Sequence, residues 1–408
     1  MFNSEVRSLL AMGIDLVSLA SSAKRAGYQV YAADYFGDLD LQRICIKYKS
    51  VIQQKPAKSC GHFELNFKPE AFLRLTKSLL QENEIDAILL SSGLDDYFDI
   101  LCELNDLVPI LGNSPQTIKN VREKPKFFEE LKRLGIPHPE TAKVTDVKEA
   151  KKIAAEIEYP VVIKPSRGFG GMGIRIAKSP QELKREFQEV LVFDDNILIQ
   201  KHVIGAHASI SFLASHNVVK ILTINEQLIG VPYTFQSEPF GYCGNIVPFH
   251  SANLISEKCE YITKKIALHF GLIGSNGIDL VISEENVPYV IEINPRFQGT
   301  LECVERVLKT NLVKAHINAC IHGSLPTVQK KNFIFSTRLI LFAPKRVIVP
   351  DLTIFREVRD IPFPRTMIEK GEPLCSIVTE KSSRDDSLQK AKKIAKAIYE
   401  MLSPVSNL

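Results

Sequence analysis

The sequence has 408 residues, 45% hydrophobic and 24% charged, with a formal net charge of +4, which is typical of a globular chain of two or three domains. Its positive charges form no long run, and no uncharged apolar stretch reaches the roughly 18 residues of a membrane span, which argues against nucleic-acid and membrane partners. The 8 cysteines include no C-x-x-C pair, so we expect reduced thiols in a cytoplasmic protein rather than a zinc or iron–sulfur site.

The predicted elements divide the chain into three regions. Residues 1–115 alternate short apolar runs with helical patterns, which predicts a parallel sheet. Within 116–325, a strand–loop–strand–helix–strand block at about 140–203 has the size of a small lid subdomain. Residues 326–408 are rich in strands and end in a helix over Asp385–Met401. We therefore predict an α/β fold with an N-terminal parallel-sheet domain, a two-part α+β central module and a C-terminal strand-rich domain.

A predicted β-hairpin near residue 280 gathers oxygen ligands. The apolar runs Ile278–Ile282 and Val287–Ile293 flank a polar turn, and folding about that turn places Asp279 opposite Glu292. Asn294 lies two residues further along the same strand face. Such a set suits Mg²⁺, which usually shares its shell with phosphates. Solvated strand-end residues are the alternative, but three ligands in register favour a metal site.

Arg296 follows this hairpin after an Asn-Pro pair. A magnesium site beside a fixed arginine is what phosphoryl transfer needs. The alternative role for Arg296 is a surface ion pair, and its place beside the carboxylates favours anion binding.

A glycine-rich loop follows the predicted strand Pro160–Lys164, and it contains Gly168, Gly170, Gly171 and Gly173. Glycine lets backbone amides approach an anion closely and permits positive φ. The loop leads into another strand rather than a helix, which argues against a dinucleotide fingerprint or a Walker loop. A flap over phosphates fits this pattern, and Lys164 can reach the same phosphates. A mobile hairpin turn is the alternative.

Three further segments are weaker candidates. Lys124 at the start of a helix is, taken alone, a solvated lysine. The segment Leu198–Val203 runs from a strand into a turn whose backbone could pair with adenine. The turn Ser91–Asp96 fits a substrate-lining loop and a strand-to-helix cap equally well.

Taken together and in this order, these pieces resemble the ATP-grasp superfamily of carboxylate–amine ligases, over roughly residues 115–325. The resemblance implies a domain preceding the ATP-grasp module at 1–115, the module at 116–325 and a biotin-carboxylase-like C-terminal domain at 326–408. Gly205–Ala214 and Gly371–Cys375 are most similar to the "predicted carboligase" subgroup.

The resemblance also implies roles for individual residues. Two lysines contact ATP phosphates, the glycines of the flap cover the triphosphate, and a hinge holds adenine: Lys124, Lys164, Gly168, Gly170, Gly171, Gly173, Gln200, Lys201 and Val203. The magnesium ligands are Asp279, Glu292 and Asn294, and the catalytic residues are Arg296 and Lys164. The chain departs from the family pattern in having Gln200 where glutamate is common, and His207 in place of a ribose-binding carboxylate.

The activity implied is ATP-dependent activation of a carboxylate as an acyl phosphate, followed by its joining to an amine, with release of ADP and phosphate. The expected cofactors are ATP and Mg²⁺, with two ions expected and Mn²⁺ as an alternative metal. The expected partners are small-molecule carboxylate and amine substrates, and a homodimer is one possible assembly. The alternatives are a carboxylase that activates bicarbonate and a non-catalytic nucleotide-binding regulatory protein. The sequence specifies neither the carboxylate nor the nucleophile.

Overall fold

The computed structural model describes residues 6–63, 67–250, 252–327 and 334–404. The helices are α1 (Val17–Arg25), α2 (Leu39–Ile44), α3 (Glu70–Leu80), α4 (Phe98–Leu107), α5 (Pro115–Arg122), α6 (Lys124–Arg133), α7 (Val147–Ile157), α8 (Pro180–Leu191), α9 (Ala252–Phe270), α10 (Leu301–Leu308), α11 (Leu312–His322) and α12 (Arg384–Met401), with a 3-10 turn at Pro232–Thr234. The first strands are β1 (Ser8–Gly13), β2 (Gln29–Asp34), β3 (Lys47–Ser50), β4 (Ala87–Leu90), β5 (Thr141–Val144), β6 (Val161–Pro165), β7 (Arg175–Ala177), β8 (Ile197–Lys201), β9 (Ala206–Ala214) and β10 (Val219–Ile229). The remaining strands are β11 (Tyr242–Val247), β12 (Gly274–Ile282), β13 (Pro288–Asn294), β14 (Phe335–Phe342), β15 (Val347–Ile348), β16 (Val358–Arg359), β17 (Met367–Ile368), β18 (Pro373–Lys381) and β19 (Ser403–Pro404).

The N-terminal region forms the predicted parallel sheet, with strand order β3-β2-β1-β4. Every residue of β1 is buried, as expected of a strand covered on both faces. Because the strands are parallel, their carboxyl ends lie at one edge, where ligands bind in many α/β proteins. The loops that leave this edge carry Asp15 after β1, Asp38 after β2, and Asp95 and Asp96 after β4.

A second, separate sheet has the antiparallel order β5-β8-β6-β7 and is covered by α7 and α8. Its helices begin at side-chain caps: the Asp146 carboxylate accepts hydrogen bonds from two backbone amides of α7, and the Ser179 hydroxyl accepts one from α8. The glycine-rich loop joins β6 to β7. This sheet corresponds to the block predicted as a lid, whose assignment and boundaries remain a prediction.

The largest sheet has eight strands, ordered β13-β12-β9-β10-β11-β14-β18-β16, with antiparallel pairing throughout. Val247 of β11 pairs with Ser336 of β14, so the sheet continues from the central module into the C-terminal region. The predicted α/β fold class is confirmed, with parallel and antiparallel sheets in different parts of the chain. The division into domains at residue 325 remains a prediction, and the sheet crosses that point.

One hydrophobic core joins the N-terminal sheet to the large sheet. It contains residues of β1 and α1, residues of α10 and α11, and Leu213 and Val378 from the large sheet. This packing fixes the carboxyl edge of the parallel sheet against the large sheet. Among the described residues, no helix combines the length and hydropathy needed to cross a bilayer.

The predicted hairpin and its register are confirmed. Asp279 pairs with Glu292 and Gly277 with Asn294, and a bulge follows Asp279. Helices α5 and α6 follow each other directly and are separated by a break at Glu123. Pro125 explains the break, since proline inside a helix removes a hydrogen bond and its ring clashes with the carbonyl four residues earlier.

Candidate functional site

A cavity of about 490 Å³ lies where the parallel sheet, the glycine-rich loop and the large sheet meet. The predicted site residues that line it are Lys124, Lys164, Gly168, Gly170, Gly171, Gln200, Lys201, Val203, His207, Asp279, Glu292, Asn294 and Arg296. Gly173 is not in its lining; the Gly173 amide donates to the Glu238 carboxylate at 3.1 Å. The fold therefore gathers nearly the whole predicted set around one space.

Glu292 lies between two cations. Arg122 donates to Glu292 Oε1, and Lys124 Nζ lies 3.2 Å from Glu292 Oε2. Burial favours the neutral acid, but Arg122 and Lys124 together hold the pKa of Glu292 well below its usual range. Glu292 is therefore ionised and held in a fixed position.

Arg122 is a site residue that the sequence reasoning missed. Its side chain is 4% exposed, and its Nε and Nη2 contact the two Asp96 oxygens at 2.7 and 2.9 Å. The same guanidinium donates to the Gly168 carbonyl at 3.3 Å. Arg122 thus connects the loop after β4, the hairpin and the glycine-rich loop. The signal available was its place two residues before Lys124, at the Pro125 helix break.

A chain of hydrogen bonds connects the hairpin ligands to Arg296. Asp279 accepts from Gln227 Nε2 and from Asn294 Nδ2, each at 3.0 Å. Asn294 Oδ1 accepts from Arg296 Nη2 at 2.9 Å, and Arg296 Nε donates to Asp95 Oδ2 at 2.8 Å. Arg296 is therefore anchored beside the hairpin by a buried ion pair, rather than lying on the surface.

The donor set suits a hard cation. Burial, followed by repulsion from Glu292, raises the pKa of Asp279 to about 6, which indicates that this acid lacks a full compensating charge. In the part of the chain that the structure describes, no group of three or more His, Cys, Asp or Glu side chains forms a metal cluster. Two carboxylates and one amide would thus supply only part of a magnesium shell, leaving positions for water and phosphate oxygens.

Lys164 is buried at the end of β6. Its Nζ donates to Gln200 Oε1 at 3.0 Å and lies 5.5 Å from the centre of the Phe128 ring. Burial, followed by repulsion from Lys124, lowers the pKa of Lys164 to about 7. Gln200 is held in turn by a 2.7 Å bond from its Nε2 to Thr141 Oγ1. A phosphate close to this buried amine would stabilise its charged form.

The segment after Gln200 lines another part of the cavity. The Lys201 ammonium contacts the Ile157 carbonyl at 2.9 Å and the Glu158 carbonyl at 3.2 Å, so this lysine ties β8 to the end of α7. Val203 and His207 line the cavity, and burial lowers the pKa of His207, so its imidazole is neutral at pH 7.

The glycine-rich loop lies against the rest of the molecule. The Gly168 amide donates to Asp96 Oδ2 at 3.0 Å, and the Gly170 carbonyl accepts from the Tyr242 amide at 2.9 Å. At Gly171, where φ is +78°, an added Cβ would lie 1.9 Å from the Phe240 carbonyl oxygen. Only glycine permits this approach, so the sequence of the loop matches its closed position.

An aromatic contact adds to this closed position. The Phe169 ring lies 5.1 Å from the Phe63 ring and 5.5 Å from the Phe67 ring, both in the N-terminal region. Phe169 therefore packs into the aromatic cluster beside the carboxyl edge of the parallel sheet. The loop thus covers part of the cavity.

The turn Ser91–Asp96 lines the site. Asp95 binds Arg296, Asp96 binds Arg122, and Ser92 lines the cavity. The following helix α4 has Tyr97 at its N-cap and no side-chain cap. Of the two interpretations left open by the sequence, the structure supports a lining loop over a helix cap.

Comparison with known proteins places this architecture in a class. Residues 121–300 match the model of the ATP-grasp domain. An uncharacterized protein of Methanocaldococcus jannaschii is 27% identical over 398 residues, covering 96% of this chain and 91% of the relative. The N-terminal section of the carbamoyl phosphate synthase large chain of Methanopyrus kandleri is 28% identical over 242 residues, covering 55% of this chain and 41% of the relative.

A solved structure has a similar fold. The biotin carboxylase of Campylobacter jejuni, solved as a β-γ-ATP complex, has a TM-score of 0.73 at 17% identity, covering 98% of this chain and 92% of that one. This likeness concerns the fold. The fold is the ATP-grasp fold, with a parallel sheet in the N-terminal region of the chain. Residues 121–300 of this chain therefore belong to the ATP-grasp superfamily.

Proposed function

We propose that this protein is an ATP-dependent ligase that activates a substrate carboxylate as an acyl phosphate and joins it to an amine. The observation that carries the proposal is that cationic side chains lie around the hairpin carboxylates in one cavity. Lys124, Lys164 and Arg122 surround Glu292, and Arg296 lies beside Asp279 and Asn294. Phosphoryl transfer relies on positioning and charge neutralisation, which such a set supplies.

In the proposed arrangement, Asp279, Glu292 and Asn294 hold Mg²⁺, which neutralises phosphate charge when bound. Lys124 and Lys164 bind the phosphates of ATP, and the loop Gly168–Gly173 covers them. Gln200, Lys201, Val203 and His207 line the nucleoside part of the cavity. The membership of the superfamily and the placement of these side chains around one cavity support these roles.

The proposed reaction has two steps. A carboxylate oxygen of the substrate attacks the γ-phosphorus, the new O–P bond replaces the bond to the β–γ bridging oxygen, and ADP leaves. Arg296, fixed by Asp95, stabilises the negative charge on the transferred phosphoryl group. The amine nitrogen then attacks the acyl carbon, forming a C–N bond as phosphate leaves with the carbon–oxygen electron pair, and the amine proton passes to solvent. The closed loop protects the acyl phosphate from hydrolysis.

A screen for ADP release against pairs of carboxylates and amines tests the proposal. A pair that stimulates ADP release identifies the substrates, and the same carboxylate labelled with oxygen-18 should pass one labelled atom to inorganic phosphate. Phosphate without label would exclude an acyl phosphate formed from that carboxylate. Tight ATP binding without turnover on any pair would support a non-catalytic role.

Activation of bicarbonate is the second candidate. It is favoured by the 28% identity to a carbamoyl phosphate synthase section, although the chain spans only 41% of that relative. The same assay discriminates the two candidates, because ADP release that requires bicarbonate alone, with incorporation of labelled bicarbonate into product, would indicate a carboxylase.

A further inference from the structure

The two ends of the cavity carry opposite charge. One end has Arg122, Lys124, Lys164 and Arg296 around the hairpin carboxylates. The other end, here called the acid end, is lined by Asp15, Asp38, Asp360 and Glu372. The acid end lies at the carboxyl edge of the parallel sheet, outside the residues assigned to ATP and magnesium.

The cation nearest these acids is already shared. Arg338, only 2% exposed, lies 2.8 Å from Asp15 Oδ2 and 2.7 Å from Asp360 Oδ2, so one guanidinium serves two carboxylates. Asp38 accepts a bond from the neutral amide of Gln54 at 2.9 Å. The group of Asp15, Asp38, Asp360 and Arg338 therefore carries more acids than cations.

Because the acid end is buried, an excess of acids over cations makes ionisation of these acids unfavourable. Burial, followed by repulsion from Asp34 and Asp360, raises the pKa of Asp38 well above its usual range. Burial also raises the pKa of Asp360 to about 7 despite its pairing with Arg338, and Asp15 adds to the effect. A cation bound among these acids would remove the cost of ionising them.

Unsatisfied polar atoms in the same lining indicate a ligand independently. Tyr35 is 1% exposed and lines the cavity, and within the described part of the chain its hydroxyl has no hydrogen-bond partner. Arg338 Nε is likewise buried without a partner among the described residues. A buried polar group left unbonded is destabilising, so a ligand that bonds to the Tyr35 hydroxyl would remove this cost.

The walls of the acid end are apolar. They include Phe36, Ile52, Phe342, Ile368 and Leu374. The acid end is also close to the reacting end, because Arg338 Nη1 donates to the Gly299 carbonyl at 3.1 Å, three residues after Arg296. A ligand in this place would thus have a cationic group, an apolar body and access to Arg296.

We propose that the acid end binds the ammonium group of an amine-bearing substrate with an apolar body, such as a hydrophobic amine or amino acid, through Asp38, Asp360 and Tyr35. This inference rests on the proposed ligase function and specifies its substrate class. It excludes phosphorylated and dicarboxylic compounds as occupants of the acid end, because the surplus acids there would repel them.

Calorimetric binding to the full chain tests the inference, in the presence of Mg²⁺ and a non-hydrolysable ATP analogue. The probes are phenethylamine, n-pentylamine, L-leucine and L-phenylalanine, each beside its N-acetyl derivative, which has the same body without the charge. We expect at least one amine to bind about tenfold more tightly than its N-acetyl derivative. The inference is overturned if no amine binds more tightly than its N-acetyl derivative. This outcome includes the case in which neither compound binds.

Variants of the acid end sharpen the test. Asp38→Asn keeps the shape and the oxygen that accepts from Gln54 but removes the charge, and it should weaken amine binding about tenfold. Asp106→Asn, an exposed position in α4, removes the same charge elsewhere and should bind like the wild type. Tyr35→Phe should weaken amine binding severalfold and provides a second variant if Asp38→Asn fails to fold. Equal amine affinity in all of these proteins would refute the assignment.

Binding of the ATP analogue distinguishes a failure of this inference from a failure of the proposed function. If the wild type binds the ATP analogue but shows no preference for amines, only the acid-end inference fails. If it binds no ATP analogue, the proposed function fails.

Discussion

Arg122 offers a direct test of how the site is built. Replacing it with methionine removes the guanidinium that pairs with Asp96 and Glu292, and leaves both carboxylates in place. Breaking a buried ion pair by removing one partner costs about 3–5 kcal/mol. We expect the free energy of unfolding to fall by an amount near the lower end of this range. Lys124 still lies 3.2 Å from Glu292, and the Gly168 amide still donates to Asp96 at 3.0 Å, so both carboxylates keep a partner.

The matched control is Arg133→Met in the next helix. Arg133 pairs with Glu130, but its side chain is 71% exposed, and such surface pairs contribute about 0–1 kcal/mol. Urea unfolding of the three proteins at neutral pH measures both changes as differences in the free energy of unfolding. A loss in Arg122→Met no larger than that in Arg133→Met would refute the reasoning.

The difference in the free energy of unfolding between wild type and Arg122→Met should also depend on pH, which gives a second check. The folded-state pKa of Glu292 is held below its usual value of 4.5, so its stabilising contribution is fully present above pH 4.5 and is lost as the pH falls through the folded-state pKa. Removing Arg122 raises that folded-state pKa. The stability gap between wild type and Arg122→Met should therefore narrow in acid, and a gap that widens below pH 4.5 would contradict the assignment.

Two further predictions concern the lysine and the loop. The folded-state pKa of Lys164 is about 7 against a usual value of 10.5, so the free energy of unfolding should rise with pH across this window. ATP binding, which recharges the lysine, should weaken across the same window. Calorimetry should show that ATP affinity does not change with pH in Lys164→Arg, and that its fall is displaced to higher pH in Gln200→Glu. The wild-type dependence of ATP affinity on pH in both variants would contradict a contact between Lys164 and the phosphates. Gly171→Ala should prevent loop closure and lower substrate-stimulated ADP release about tenfold, because its Cβ would lie 1.9 Å from the Phe240 carbonyl oxygen. Gly170→Ala, with nothing within 4 Å, should cost only the strain of its positive φ, and equal rates in the two variants would argue against the closed loop.

The sequence predicted those parts of the site that depend on local patterns. Alternating apolar residues and a polar turn specify the hairpin, and the period of two residues then places Asp279 opposite Glu292. The spacing of glycines between two strands likewise predicts the covering loop. These features require only neighbouring residues, so they can be derived without the tertiary structure.

The sequence did not predict contacts between distant segments. The partners of Arg122, at Asp96 and Glu292, are 26 and 170 residues away. The pairing of Arg338 with Asp15 spans 323 residues. No periodicity relates such positions, because the packing of the N-terminal sheet against the large sheet brings them together. The continuation of the large sheet past residue 325 was missed for the same reason.

We expect this cavity to bind magnesium and ATP together through the hairpin carboxylates. Calorimetric titration of a non-hydrolysable ATP analogue, with Mg²⁺ and with EDTA, into wild type and Asp279→Asn tests it most directly. We predict that Mg²⁺ strengthens binding to the wild type, and that Asp279→Asn loses about tenfold of this gain while its affinity in EDTA is unchanged. An equal effect of Mg²⁺ on the two proteins, or no binding of the analogue to the wild type, would contradict the account.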